Sequence, residues 1–409
     1  MQVGIYPDTG PVVGSPTPMR PAILFGAFDR HNLGDLLFPH VVGRLLGRRP
    51  FTLTGLVAAD LRPWGGHRVL PLAEAIAGHG SAAVDLIHVG GEILTCSAWQ
   101  AAIMTLAPAQ AREWLRLPVP EAGRCQAWAS EQLHCSRLAP YVFPASALPP
   151  GSRTLFLGTG GTGLPETSAD LREEIVEALR QASFVGARDA RTLAHLQAAG
   201  VAASLMPDTA VAATQLLAED IRGHAGAGEP ARVQERFPRG YVAVQFSADF
   251  GDDRTLDTVA RQLEQIATPE GLAIIFLRTG SAPWHDDPEV YHRCAGRLSH
   301  VPCHVFESTH ILDLCALIEG CRAWCGSSLH GWILAAGRPR VGLALPAAGI
   351  GGKLRAHVDT WTPTAAGCVV EPAGLAQAFS GSLNSPLPCG TDSAALTAIQ
   401  ALQQHLDMP

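Results

Sequence analysis

The stretch CGSSLHGWILAAGRPRVGL, which begins at Cys325, places Ser327, Ser328 and His330 almost side by side. Serines just ahead of a helix cap it, and the unpaired amides at its start hold a small anion. A histidine in the first turn then sits beside that anion and can exchange a proton near neutral pH. Other segments offer complementary groups. In GAFDRHNLGD, residues 26–35, Gly34 permits a tight turn, Asp35 suits a helix start, and Asn32 can bond to turn backbone or to a hydroxylated ligand. In HVGGEIL, residues 88–94, Gly90 and Gly91 let the backbone approach a ligand closely. In GARDARTLAHLQAAGV, Arg188 is suited to bidentate contact with a carboxylate or phosphate, or to a local pair with Asp189. Asp208 in MPDTA and His285 in SAPWHDD follow apolar runs in the same way.

These groups need elements to position them. Leu329, Trp332, Ile333 and Ala336 recur at helical spacing, and Gly337 followed by Pro339 supplies a stop. Arg322 to Cys325 before this helix and Val341 to Leu345 after it read as buried strands, so the serine turn lies at the carboxyl end of a parallel sheet. Strands are expected at Ile23–Phe28, Val84–Val89, Thr154–Gly158, Phe184–Ala187 and Ala202–Met206, with helices at Leu36–Leu46, Leu171–Gln181 and Thr192–Ala199. A second series runs from the YVAVQFS strand through a Leu256–Ile266 helix, an AIIFLR strand, a Pro288–Leu298 helix, a CHVF strand and an Ile311–Ile318 helix.

The reading is therefore α/β, with two Rossmann-like doubly wound domains facing a cleft. Residues 1–20 read as a flexible lead-in, 21–215 as the first domain, 216–239 as a linker rich in Gly, Pro and charge, and 240–409 as the second domain. Residues 95–150, rich in Trp, Pro and Ala, receive no element.

Bulk properties narrow the function. A chain of 409 residues is long for one core, and 47% hydrophobic with 16% charged residues describes a compact protein. A formal charge of −7 with no run of Lys and Arg argues against a nucleic-acid partner. No stretch approaches the roughly 20 apolar residues of a membrane span, and the N-terminus lacks the marks of a signal peptide. A cytoplasmic protein is expected, with peripheral membrane contact left open. The ten cysteines are scattered, and Cys321 and Cys325 lack a second pair at zinc spacing, so buried thiols are expected and no metal site. Gly158, Gly160 and Gly163 spell G-x-G-x-x-G, but Pro165 and Glu166 intervene before the helix, which disfavours a dinucleotide site.

The ordered set NLGD, HVGGEIL, ARDARTLAHLQAAGV, PDTA, HDD and SSLHGWILAAGRPRVGL, followed by Lys353, resembles the polysaccharide pyruvyltransferase family over about residues 22–360. The resemblance implies a GT-B-like pair of domains, acceptor side first and donor side second. It also implies pyruvyl transfer from phosphoenolpyruvate to hydroxyls of a sugar, glycan precursor or lipid-linked saccharide, with no cofactor and no metal. Arg188 matches the arginine of the family's R-D motif, His330 the histidine of its R-L-H motif, and Lys353 a lysine that follows. The family's usual arginine before Leu329 is replaced by Ser328.

On this reading Ser327, Ser328 and Leu329 line the donor's phosphate and His330 protonates its methylene carbon, while Asp35 serves as base. Arg188, Lys353, Asn32, Gly34, Gly90, Gly91, Asp208 and His285 contact substrate. A nucleotide-sugar glycosyltransferase and a non-catalytic sugar- or phosphate-binding relative remain as alternatives.

Overall fold

The computed structural model describes residues 19–116, 122–344, 351–384 and 399. The chain divides into two compact units, one comprising Met1–Ala212 with Ala395–Pro409, the other Ala213–Ala394.

In the first unit the strands are β1 (Ala22–Phe25), β2 (Phe51–Gly55), β3 (Ala59–Asp60), β4 (Arg68–Pro71), β5 (Asp85–His88), β6 (Arg153–Thr159), β7 (Phe184–Ala187) and β8 (Ser204–Leu205). They form one sheet in the order β3-β4-β2-β1-β5-β6-β7-β8. Every pairing is parallel except β3 with β4 at the edge. Apolar runs such as AILF lack polar alternation because helices cover both faces of a parallel sheet. Ile23, Phe25, Leu86, Phe156, Ile175 and Leu179 lie in the resulting core. At the amino end of the sheet the buried Asp85 carboxylate receives Arg49 at 2.5 Å and Arg153 at 2.6 Å. Burial works against that charge, but the hydrogen bonds from Arg153 and Arg49 outweigh it and hold the carboxyl below its ordinary value.

The second unit contains β9 (Tyr241–Gln245), β10 (Ala273–Phe276), β11 (Cys303–Val305), β12 (Ala323–Gly326), β13 (Arg340–Leu343) and β14 (Val369–Val370). Their order is β11-β10-β9-β12-β13-β14, all parallel. The first strand of the unit is thus central and the chain winds outward from it in both directions, the doubly wound order of Rossmann folds. Val242, Val244, Phe246, Ile274, Leu263 and Cys325 belong to its core.

The expected strands and helices recur with shifted ends. The helix expected from Leu36 begins at Leu33, because Asn32 caps it. Residues 216–239, expected as a linker, carry two helices, Ala218–Ala225 and Gly228–Arg236, which pack on the helix Ile311–Gly320. Pro230 is tolerated in a first helical turn, where its missing N–H has no intrahelical partner to lose, and Ile221, Val233 and Phe237 are buried. Residues 95–150 hold the helices Ala98–Thr105, Pro108–Arg116 and Ala122–Leu133. The lead-in up to residue 18 and the end of the Val341–Leu345 strand lie outside the described residues.

Candidate active site

In each sheet the winding direction reverses at one point, and loops leaving the carboxyl ends there are the usual location of ligands in such folds. In the first unit that point lies between β1 and β5. Asn32 follows β1 and accepts from the amides of Gly34 at 3.1 Å and Asp35 at 3.4 Å, so its side-chain oxygen serves the helix cap. Asp35 stands in the first turn, 15% exposed, with Arg30 4.0 Å away. Gly90 and Gly91 after β5 adopt φ of +125° and +97°, and a Cβ on Gly91 would lie 3.4 Å from Asp35 Oδ1. Gly91 therefore lets the β5 loop lie against Asp35, and Gly90 lets it approach the Leu157 carbonyl. Asp29, also after β1, is buried, accepting from the Leu56 amide at 2.7 Å and the Tyr141 hydroxyl at 3.2 Å, and burial pushes its carboxyl up.

Arg188, just past β7, is 1% exposed. Its guanidinium bonds to Glu92 and lies 3.4 Å from Asp208 Oδ2 and 4.0 Å from Asp189 Oδ2. Burial opposes the charge, and the carboxylates of Glu92, Asp208 and Asp189 more than offset it. Gly160 explains itself here: a Cβ would lie 2.5 Å from both the Arg188 guanidinium and the Glu92 carboxylate. The glycine-rich GTGGTG run thus makes room for an ion pair. Asp208 is 0% exposed and also accepts from the Ala210 amide at 3.0 Å. Glu92 is the more accessible member of the group at 26%, and its other oxygen accepts from the Thr162 amide at 3.0 Å.

In the second unit the reversal lies between β9 and β12, and the serine turn leaves β12 there. Ser328 caps the helix Leu329–Leu334, accepting from the Gly331 amide at 3.2 Å. Its own amide donates to Gln245 Oε1 at 2.8 Å. Ser327 is buried and its hydroxyl accepts from the Ser247 amide at 3.3 Å. Both serine side chains and the Ser328 amide therefore organise the turn. Leu329 is 2% exposed and its side chain packs in the interior, whereas His330, next in the chain, is half-buried and lies off the apolar face. Gly331 is needed because the indole of Trp324 passes under it: a Cβ would lie 2.0 Å from Trp324 Cζ2. Gly331→Ala is expected to destabilise the second unit by about 1–3 kcal/mol or more, as overpacking does. The variant's urea midpoint and near-ultraviolet circular dichroism measure it, and a midpoint equal to the parent's would show that the helix lifts off Trp324 without strain.

Gln245 links this turn to the loop after β10. Its Nε2 donates to Asp286 Oδ1 at 2.8 Å, while Asp286 Oδ2 accepts from the Thr279 amide at 2.6 Å and the Gly280 amide at 3.3 Å. Burial raises the Asp286 carboxyl from 3.8 to about 6, against the pull of these donors. A raised folded value means that the protonated form favours the fold. The contribution is greatest below about pH 4 and is lost as pH rises through about 6. Asp286→Asn is expected to remove that pH 4–6 dependence from the urea midpoint and to cost about 1–3 kcal/mol by leaving an amide facing Gln245. An unchanged pH profile in the variant would assign the dependence to another group. His285 is half-buried in the same loop, with its Nδ1 2.9 Å from the Pro283 carbonyl.

Lys353 is half-buried in the helix Gly351–Trp361, and the preceding residues 345–350 lie outside the described ones. His224, His310 and Asp313 bring possible metal ligands within 4.8 Å of one another. The two rings are stacked, 4.6 Å between centroids and 16° from parallel. In-plane lone pairs on stacked rings do not converge, and His224 instead hydrogen-bonds Asp313 at 2.5 Å.

The structure thus gathers Asn32, Gly34, Asp35, Gly90, Gly91, Arg188 and Asp208 in the first unit, and Ser327, Ser328, Leu329, His330 and His285 in the second. Arg188, Asp208 and Leu329, expected to touch substrate, are closed to solvent. Glu92 and Gln245 were missed, and Asp286 was visible only as one of three polar residues in the HDD segment. Glu92 stands in the quoted HVGGEIL segment and Asp286 in HDD, but only the three-dimensional partners give them a role.

The family model for polysaccharide pyruvyl transferase matches residues 133–337, half of the chain, from the end of the Ala122–Leu133 helix to Gly337 after the serine-turn helix. The chain belongs to this family. No curated protein matches the sequence. Among solved structures, this family member is similar to the UDP-GlcNAc 2-epimerase of Methanocaldococcus jannaschii, with TM-score 0.51 and 11% identity over 90% of this chain and 93% of that one. It is also similar to the UDP-GlcNAc 2-epimerase from Neisseria meningitidis, with TM-score 0.50 and 11% identity over 94% and 100%. At such identity the likeness concerns the fold, a GT-B-like pair of parallel α/β sheets. No helix among the described residues is long and apolar enough to cross a membrane.

Proposed function

We propose that this pyruvyl transferase family member moves pyruvyl from phosphoenolpyruvate to hydroxyls of a sugar or glycan precursor. The observation that carries the reading is the placement of His330, half-buried and off the apolar face of its helix, at the carboxyl end of β12 within the family-matched segment. Phosphoenolpyruvate transfer begins with protonation of the methylene carbon, which leaves a cation at the adjacent carbon. The acceptor oxygen adds there and loses its proton to a base. A second hydroxyl can then displace phosphate and close a ketal.

His330 is the acid on the donor side, and the second unit supplies the donor site. Asp35 is the base on the acceptor side, held 4.0 Å from Arg30. Glu92, fixed by Arg188 and Thr162, is a second carboxylate able to orient a hydroxyl. Arg188 acts mainly by holding Glu92 and Asp208 in place. The acceptor chemistry admits a free or a lipid-linked saccharide.

Phosphate release from phosphoenolpyruvate across a panel of glycosides, with product masses recorded, tests the reading. Release that requires a glycoside and yields a pyruvyl adduct is the expected result. Stabilisation by a uridine diphosphate sugar with no response to phosphoenolpyruvate would overturn it.

A further inference from the structure

We propose that Arg278 supplies the positive charge that holds the anionic end of the donor on the second unit. The proposal rests on the pyruvyl-transfer reading and names a residue that neither the sequence motifs nor the family match singles out. Arg278 stands two residues beyond the end of β10, and Ser328 stands two residues beyond the end of β12. Both strands flank β9, with Phe276 paired to Val244 and Gly326 paired to Gln245. The two positions therefore lie about two strand spacings, ~10 Å, apart at the same edge. An extended arginine and a phosphate together cover that span.

Among the described residues no carboxylate pairs with Arg278, and its electrostatic neighbour is the buried Tyr291 phenol, which burial keeps uncharged. The arginine side chain is half-buried, and among the described residues no hydrogen bond or ion pair engages the guanidinium. Three arginines show the contrast. Arg188 meets Glu92, Asp208 and Asp189, Arg30 meets Asp29 and Asp35, and Arg355 meets Asp359. A partly buried cation with no counter-charge is unfavourable alone and becomes favourable when an anion arrives. The backbone on either side is fixed, since the Leu277 amide bonds the Val244 carbonyl at 3.0 Å and Asp286 holds the amides of Thr279 and Gly280. The arginine that the family resemblance places directly before Leu329 is Ser328 here. Arg278 restores that cation from the neighbouring loop, and its planar fork suits either the phosphate or the carboxylate of the donor.

The test measures phosphoenolpyruvate binding to the full chain by calorimetry without acceptor, for the parent, Arg278→Gln, Arg278→Lys and Arg278→Gln combined with Ser328→Arg. Thermal unfolding confirms that each is folded. Binding is expected to weaken about 10-fold to 100-fold in Arg278→Gln, to recover in part with lysine, and to recover further when Ser328→Arg is added. Parental affinity in a folded Arg278→Gln overturns the assignment. If the parent ignores phosphoenolpyruvate, the transfer reading fails by itself and inorganic phosphate becomes the probe. Phosphate binding lost in Arg278→Gln then still supports an anion site at Arg278. A parent that binds neither anion, or a phosphate affinity indifferent to the substitution, overturns it.

Discussion

His330→Gln is expected to keep the fold and most of the donor affinity while lowering turnover by about 10²-fold to 10⁴-fold, the usual worth of a positioned acid. The fold should survive because the helix is anchored by its neighbours: Leu329, Trp332 and Ile333 are buried at 2%, 0% and 5% exposure, whereas His330 lies off that face. Glutamine preserves size and hydrogen bonding but cannot deliver a proton to carbon. Stopped assays of phosphate release with saturating donor measure the loss. Near-parental turnover in the folded variant would move the acid elsewhere, and His285 in the neighbouring loop is then the residue to replace.

Arg188→Ala is expected to act on stability before it acts on kinetics. Removing the guanidinium leaves Glu92, Asp208 and Asp189 facing one another around a buried gap, two of them fully closed to solvent. Breaking a buried ion pair from one side costs about 3–5 kcal/mol, a large share of the stability of an ordinary domain. Arg188→Lys should recover only part, because one ammonium cannot span Glu92 and Asp208 as a fork does. Urea denaturation of parent and variants gives the difference. An alanine variant of parental stability with weakened donor kinetics would instead put the guanidinium on the donor.

The alternation of apolar runs and helical spacing was legible because each strand of a covered parallel sheet is apolar throughout and each helix has one buried stripe. The AWCG strand and the helix starting at Leu329 follow that rule, and of the two serines expected ahead of the helix it is Ser328 that caps it. The helices between residues 98 and 133 were not legible, since what orders them is tertiary. Trp99, Trp114 and Trp128 meet from three helices, with ring centroids 4.4 to 5.6 Å apart. The two helices in the 216–239 segment were hidden by Gly and Pro at their ends: Gly226 closes the first, and Gly228 and Pro230 open the second. In the site, Glu92 and Arg188 are 96 residues apart, Gln245 and Ser328 83, and Gln245 and Asp286 41. Such pairings leave no local pattern, so the neighbouring Asp189 was legible as a partner of Arg188 while Glu92 and Asp208 were not.

The nine described cysteines are all buried or half-buried and none is disulfide-bonded. Burial pushes the thiol of Cys96 up to about 11, and those of Cys294 and Cys321 to about 12. Alkylating reagents attack the thiolate, so these side chains should react only when the chain around them opens. Cys96 and Cys125 lie in the first unit, and Cys294, Cys315, Cys321 and Cys325 in the second. Pulsed alkylation followed by peptide mass mapping therefore provides two internal clocks without any engineered label. Cys325, at the foot of the turn that carries His330, would report whether a donor analogue slows the breathing of that turn alone or of its whole unit.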